Sequence, residues 1–460
     1  MNINQENNTR INHWFGESVL VKISLIGMLT LLLLIPSSWI QDVISERQQR
    51  QNEVIEEISD KWSGSQLIEG PILVLPYIKN IAEKNDNGTI NYIEETHHIY
   101  ILPETLNVNT DVKPELLHRG IFETVVYNSM INVDGKFSSL ELKKSGINLE
   151  MIQWDKVKMA IGLSDLKGLK NNPIIELDGK NYEVEPDFTD IKLFNNNLII
   201  QTDLNESKNT SIPFTFKLDI RGSSELNFLH LGKTTNVKMK GLWNNPSFVG
   251  RYLPDERTIS DIEFNATWKM PYFNRSFPQQ WIEKDATLIT KIANTNSNNN
   301  EAVFGVRFIS AVDQYQKTMR TAKYSILIIL LTFISLFFTE LLTKKKVHLL
   351  QYVLIGASMT IYYTLLLSFS EQIGFNKAYL IASVATIILI VLFLTSLLKS
   401  KKPAIIFGII LSILYGFIFI IIQLQDLSLL FGSIGLFIII AVMMYLSSKL
   451  NWETKSASNL

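Results

Sequence analysis

Residues 22–51 read KISLIGMLTLLLLIPSSWIQDVISERQQRQ, an apolar run that gives way at once to a charged segment. A cleaved signal peptide has an apolar core of about 7–15 residues and ends on a small-x-small site. Here the apolar run extends from Val19 to Ile40, broken only by Lys22 and small polar residues, and no Ala-x-Ala site follows it. A run of that length suits a bilayer core of about 30 Å. Trp39 stands where an interfacial aromatic is expected. The stretch therefore reads as a retained membrane anchor, although Pro36 and the two serines after it resemble a cleavage region.

The charged segment keeps a helical period. Ile44, Val54, Ile55, Ile58 and Trp62 share one stripe, and Glu46, Arg50, Glu53, Glu57 and Asp60 another. The simplest reading is one helix that leaves the membrane and continues as a stalk over residues 41–62. A separate surface helix after a break is the alternative.

Composition divides the chain. Residues 324–446 are almost continuously apolar, whereas residues 41–323 have ordinary soluble composition. Five further spans are predicted at about Tyr324–Leu342, Leu349–Phe369, Ala378–Leu398, Ala404–Leu424 and Leu427–Leu446. Lys344, Lys345 and Lys346 lie between the second and third spans, and Lys399, Lys401 and Lys402 between the fourth and fifth. The other two loops hold only Lys377. The positive-inside rule puts both lysine-rich loops in the cytoplasm. Residues 1–18 and 447–460 are then cytoplasmic, 19–40 spans the membrane, and 63–310 is a large exterior domain. Lys317, Arg320 and Lys323, in a juxtamembrane helix over 311–323, run against the rule, but short loops decide it.

The exterior domain reads as strand. GPILVLPYI (residues 70–78) is rich in β formers. SIPFTFKLDI (211–220) and TTNVKMKGLW (234–243) alternate as half-buried strands do. NDNGT (85–89), VDGKF (133–137) and LDGKNYEVEP (177–186) carry Asn-Gly or Asp-Gly turn signals. NTNSNNNEA (294–302) reads as a polar loop before FGVRFIS (304–310). The expected fold is a mainly-β, sandwich-like or open-barrel domain, in one lobe or two, followed by a five-helix transmembrane bundle.

Catalytic signals are weak throughout. The net charge of −1 gives no field for nucleic acid. The absence of cysteine excludes disulfides, thiolate chemistry and Cys-ligated metals. No His-Glu-x-x-His or Gly-x-Ser-x-Gly occurs. His97 and His98 are adjacent in an expected strand and point to opposite faces. LGKTTN (231–236) contains Gly-Lys-Thr, but Asn227 stands where a phosphate loop needs its first glycine. Asp255 and Glu256 form a carboxylate pair that reads as a solvated turn. No catalytic, cofactor or metal residue is assigned.

Longer stretches carry a resemblance. LLLLIPSSWIQDVISERQQRQNEVIEEIS with GPILVLPY, RGIFETVVY, LHLGKTTNVKMKGLWNNPSFVGRYLPDERTI, FPQQW and FGVRFISAVDQYQKTMRTAKYSILIILLTFISLFFTEL resemble the CreD family of cell-envelope integrity proteins. HLLQYVLIGASM, LLLSFSEQIGFNKAYLIA and LYGFIFIIIQLQDLSLLFGSIGLF continue it nearly to the end of the chain. The chain departs at HLLQY, where the family pattern has His-Pro before Gln-Tyr. The resemblance implies a bacterial inner-membrane protein with a large periplasmic domain. It implies membership of an envelope-stress regulon and a link to colicin and β-lactam sensitivity. It supplies no catalytic residues.

Three functions remain open. The first is a non-enzymatic envelope-maintenance protein, with membrane lipid and an unidentified envelope protein as partners. The second is a transporter or exporter working through the bundle, and the third an enzyme acting on lipid or peptidoglycan. The spans carry acids only near their ends: Glu340 inside, Glu371 and Asp426 outside. Glu371 and Asp426 are expected to meet Lys377 or the base of the β domain. In the stalk, Glu46 is expected near Arg320 or Lys323 and Glu53 near Lys317, with Val54, Ile55 and Ile58 facing Val312 and Tyr315.

Overall fold

The computed structural model describes residues 19–84, 90–138, 147–187, 193–207, 210–275, 277–283, 288, 302–308, 314–424 and 427–448. It divides into two compact units, Met1–Arg50 with Val312–Leu460, and Gln51–Ala311.

The second unit is built on two sheets. The nine-stranded sheet runs Pro246–Gly250, Val303–Phe308, Glu225–Leu229, Gln66–Lys84, Val157–Leu163, Asn197–Thr202, Glu185–Asp187. Ile90–Ile101 pairs with the far half of Gln66–Lys84, and Gln280–Glu283 with Ile90–Ile101. The eight-stranded sheet runs Glu256–Ile259, Phe264–Met270, Thr234–Gly241, Thr105–Arg119, Phe122–Phe137, Ile212–Ser223, Ile174–Leu177, Lys180–Glu183.

Period-two alternation makes these strands two-faced. In Ile212–Ser223, Ile212, Phe214, Phe216, Leu218 and Ile220 are buried, while Pro213, Thr215 and Lys217 are exposed. One core takes side chains from both sheets, among them Leu73, Ile99 and Met159 of the first and Val108, Val133 and Trp268 of the second. The unit is therefore a single two-sheet body.

Two Asp-Gly pairs diverge. Asp178 and Gly179 have φ of 52° and 75° and join Ile174–Leu177 to Lys180–Glu183 in a tight hairpin. Asp134-Gly135 does not turn: both residues lie inside Phe122–Phe137 and pair with strands on either side. Gly135 is there for room, since a Cβ would strike the Thr105 carbonyl and the Phe214 ring. The NDNGT turn at 85–89 and residues 294–301 of the polar loop lie outside the described residues.

The first unit is helical. Helix α1 is one uninterrupted helix, Val19–Trp62, with Pro36 inside it. Gln314–Lys323 (α2) precedes five long helices: Ser325–Thr343 (α3), Leu349–Ile373 (α4), Phe375–Leu398 (α5), Lys401–Gln423 (α6) and Ser428–Ser448 (α7). Among the described residues six helices, α1 and α3–α7, are long and apolar enough to cross a membrane. The departure at HLLQY has a local solution. His348 caps α4 in a capping box with Gln351, whose side chain accepts from the His348 backbone N–H at 2.8 Å, so Leu349 starts the helix without a proline.

Candidate coupling site

Helix α1 contributes to both units, residues up to Arg50 to the helical one and its last three turns to the β one. Within the helical unit it is fastened at four levels. Near its start the Lys22 ammonium donates to Glu340 of α3 in an ion pair, and Tyr352 of α4 donates its hydroxyl to the other Glu340 oxygen at 3.2 Å. Leu33 fills the notch left by Gly356 of α4, where a Cβ would collide with it. Ser37 and Ser325 of α3 share a buried hydrogen bond of 2.6 Å. Arg47 approaches Glu371 at the C-terminal end of α4 at 4.0 Å. From Lys22 to Arg47 the helix rises about 37 Å, more than the hydrocarbon thickness of a bilayer.

The other end of α1 is tied within the β unit. Glu57 receives Arg119 at 2.6 Å and Lys61 at 2.8 Å, and these partners hold its carboxyl down at about 2. Asp60 pairs with Lys167 at 2.7 Å, and Ser223 bonds Ser59 at 2.9 Å. Val54 and Ile58 are buried, and the Arg221 guanidinium lies 5.3 Å from the Trp62 ring. Beyond the helix, the Asp165 carboxylate accepts from Ser63 and from the Gly64 backbone N–H, 3.2 and 3.1 Å away. Exposed ion pairs contribute little individually. The buried apolar stripe and the hydrogen-bonded exit hold this end.

The residues singled out by sequence fall into different places. Glu371 is held by the Tyr315 hydroxyl at 3.0 Å as well as by Arg47. Lys377 is exposed in the first turn of α5, and Asp426 and Val312 lie outside the described residues. Lys317 donates to Gln423 of α6 at 3.3 Å and lies over the Phe375 ring. Glu46 is exposed on α1 and Arg320 half-buried on α2. Glu53 belongs to the β unit and Lys317 to the helical one. Asp255 and Glu256 both engage Lys269, through its backbone N–H at 2.7 Å and its ammonium at 2.9 Å. His97 pairs with Glu95 at 3.1 Å. Among the described residues no group of His, Asp and Glu is arranged to hold a metal ion.

Three buried polar groups escaped the sequence reading. Arg275, in a stretch with no motif, donates to the Leu231 carbonyl and to Gln279 at 2.6 Å. Gln279 in turn donates to the Leu102 and Pro103 carbonyls. Next to Arg275, His230 is fully buried and bonds Thr235 at 2.9 Å. Burial, then the Arg275 charge, depress its imidazole to about 4, so it is neutral at pH 7. This cluster pins the corners where the chain leaves one sheet for the other, and it accounts for LGKTTN without a phosphate. Glu69 is buried opposite Gly162, where an added Cβ would come within 2.6 Å of its carboxylate. Burial alone raises it to about 8. In the bundle, Tyr362 packs at 4.9 and 5.0 Å from Tyr363 and Tyr415, and Tyr379 donates to the Tyr415 carbonyl at 2.7 Å.

A family model described as "Inner membrane protein CreD" matches residues 18–453. The chain belongs to the CreD family. It is also 29% identical to the "Inner membrane protein CreD" of Escherichia coli (strain K12) over 422 residues, covering 92% of this chain and 91% of the relative. The α1 ladder, the two-sheet unit and the helices α3–α7 all lie within the span of the CreD match. With six membrane-length helices among the described residues, this CreD-family chain is a multi-pass inner-membrane protein.

Proposed function

We propose that this CreD-family protein maintains the cell envelope without catalysing a reaction. Its β unit lies in the periplasm, binds an envelope partner, and communicates with the membrane helices through α1. The observation that carries this reading is the single helix α1, locked at four levels to the bundle and at its far end to the β sheets. Interrupting that helix tests it. Insertion of Gly-Gly-Pro between Arg50 and Gln51 breaks α1 at the boundary of the two units. The interrupted protein is expected to reach the membrane at normal level yet fail to restore detergent resistance to a strain lacking the gene. Full complementation would exclude α1 as the working element.

The lysines at 344–346 and at 399, 401 and 402 support cytoplasmic ends for those loops. Because the chain has no cysteine, single cysteines report their side directly. In intact spheroplasts an impermeant thiol reagent is expected to label Lys180→Cys in the exposed β hairpin and to spare Lys345→Cys and Lys402→Cys until lysis. The reverse pattern would invert the topology.

A transporter is the second reading, favoured by the buried tyrosines. The hydroxyls of Tyr363 and Tyr415 have no hydrogen-bond partner among the described residues, an uncommon arrangement in a membrane helix bundle. Proteoliposome flux of a solute, lost in Tyr363→Phe and Tyr415→Phe, would favour it.

A further inference from the structure

The outer face of the eight-stranded sheet carries a straight polar row. Asn236, Asn107, Asp134, Thr215, Glu176 and Asn181 are successive register partners across six strands. Asn236 donates its amide to Asn107 at 3.0 Å, and Asn107 donates to Asp134 at 2.9 Å. This row borders a groove of about 360 Å³, the size of a small-ligand site. Its walls are polar: Thr105, Asn107, Asp134, Lys136, Glu176 and Thr215. Pro213, Gly135, Gly179 and Phe214 complete the lining, the Phe214 ring itself lying in the core on the other face of the sheet.

We propose that this groove binds an extended oligosaccharide, a reading that rests on the β unit's proposed role in binding an envelope partner and names the partner's chemistry. Neighbouring strands stand about 4.8 Å apart, so the row presents a polar group at intervals close to the length of one sugar ring. The carboxylate of Asp134 spends one acceptor position on Asn107, and that of Glu176 spends none among the described residues. A carboxylate has about four such positions, and sugar hydroxyls are donors that fill them. Lys136 makes no ion pair among the described residues and is left to donate to ring or hydroxyl oxygens. The exposed pyrrolidine ring of Pro213 offers an apolar surface to the C–H face of a pyranose. Two carboxylates against one lysine disfavour a phosphate or sulfate ligand.

The test uses the full chain in detergent, with tetra-N-acetyl-chitotetraose and cellotetraose as probes, read by saturation-transfer NMR and thermophoresis. Saturable binding of at least one probe is expected. In the double variant Asp134→Ala/Glu176→Ala it should weaken about ten-fold or more, as loss of two charged acceptors implies. Lys240→Ala, on the same face but beyond the groove, should bind as wild type. All three side chains are exposed, and unchanged thermal unfolding midpoints verify folding. The inference is overturned by no saturable binding of either probe, by equal binding in the double variant, or by Ca²⁺ binding alone that the double variant abolishes. If the sugars fail while the Arg50/Gln51 insertion still abolishes complementation, the groove assignment falls and the proposed function stands.

Discussion

Lys22→Met is expected to lower the stability of the helical unit by about 2–4 kcal/mol, one of the two largest single-residue effects in this protein. Removing one member of a fully buried ion pair costs about 3–5 kcal/mol, because the other charge remains desolvated. The Glu340 side chain is only 7% exposed and Lys22 28%, which puts the expectation below that range. Glu340→Leu should cost a similar amount and also strip Tyr352 of its acceptor. The double variant Lys22→Met/Glu340→Leu should recover much of the loss, since no unpaired charge is left. Thermal unfolding in detergent of wild type, both single variants and the double completes the cycle. Additive losses would mean that the ion pair does not fasten α1.

The second large effect belongs to Glu69 and depends on pH. Unfolded, its carboxyl titrates near 4.5; folded, burial moves it to about 8. Between those values the folded state holds a proton that the unfolded state has released, so stability falls as pH rises. The loss begins near 4.5 and is complete above 8. At about 1.4 kcal/mol per unit of displacement, the whole shift corresponds to a ceiling of about 5 kcal/mol. Glu69→Gln keeps the shape and removes the ionisation. The variant should match wild type near pH 4.5 and unfold at a higher temperature at pH 9. Parallel stability curves for the two proteins between pH 5 and 9 would show that Glu69 is solvated in the folded protein.

Some of this architecture was legible because its causes are local. A run of apolar residues long enough for a bilayer names a membrane helix whatever surrounds it. The alternation in 211–220 and 234–243 names two half-buried strands, and Asp178-Gly179 names a turn because its backbone needs positive φ. Asp134-Gly135 has the same letters and a different outcome. The flanking strands extend past it, and the glycine answers a crowded core in place of a sharp reversal. Local sequence cannot separate those two uses of glycine.

By itself, then, the sequence determined the N-terminal apolar helix, the five apolar helices that follow, the mainly-β middle and the family, all of which follow from hydropathy, periodicity and ordered motifs. Tertiary structure alone decided what these elements do to one another. Lys22 meets Glu340 across 318 positions of sequence. Thr105–Arg119 lies parallel to Thr234–Gly241, a pairing that brings Asn107 beside Asn236 and makes the groove's edge. The physical reason is that a buried charge or a strand edge must find a partner, but many partners satisfy the rule. Which one is taken depends on the packing of the whole unit, where register and burial are set together.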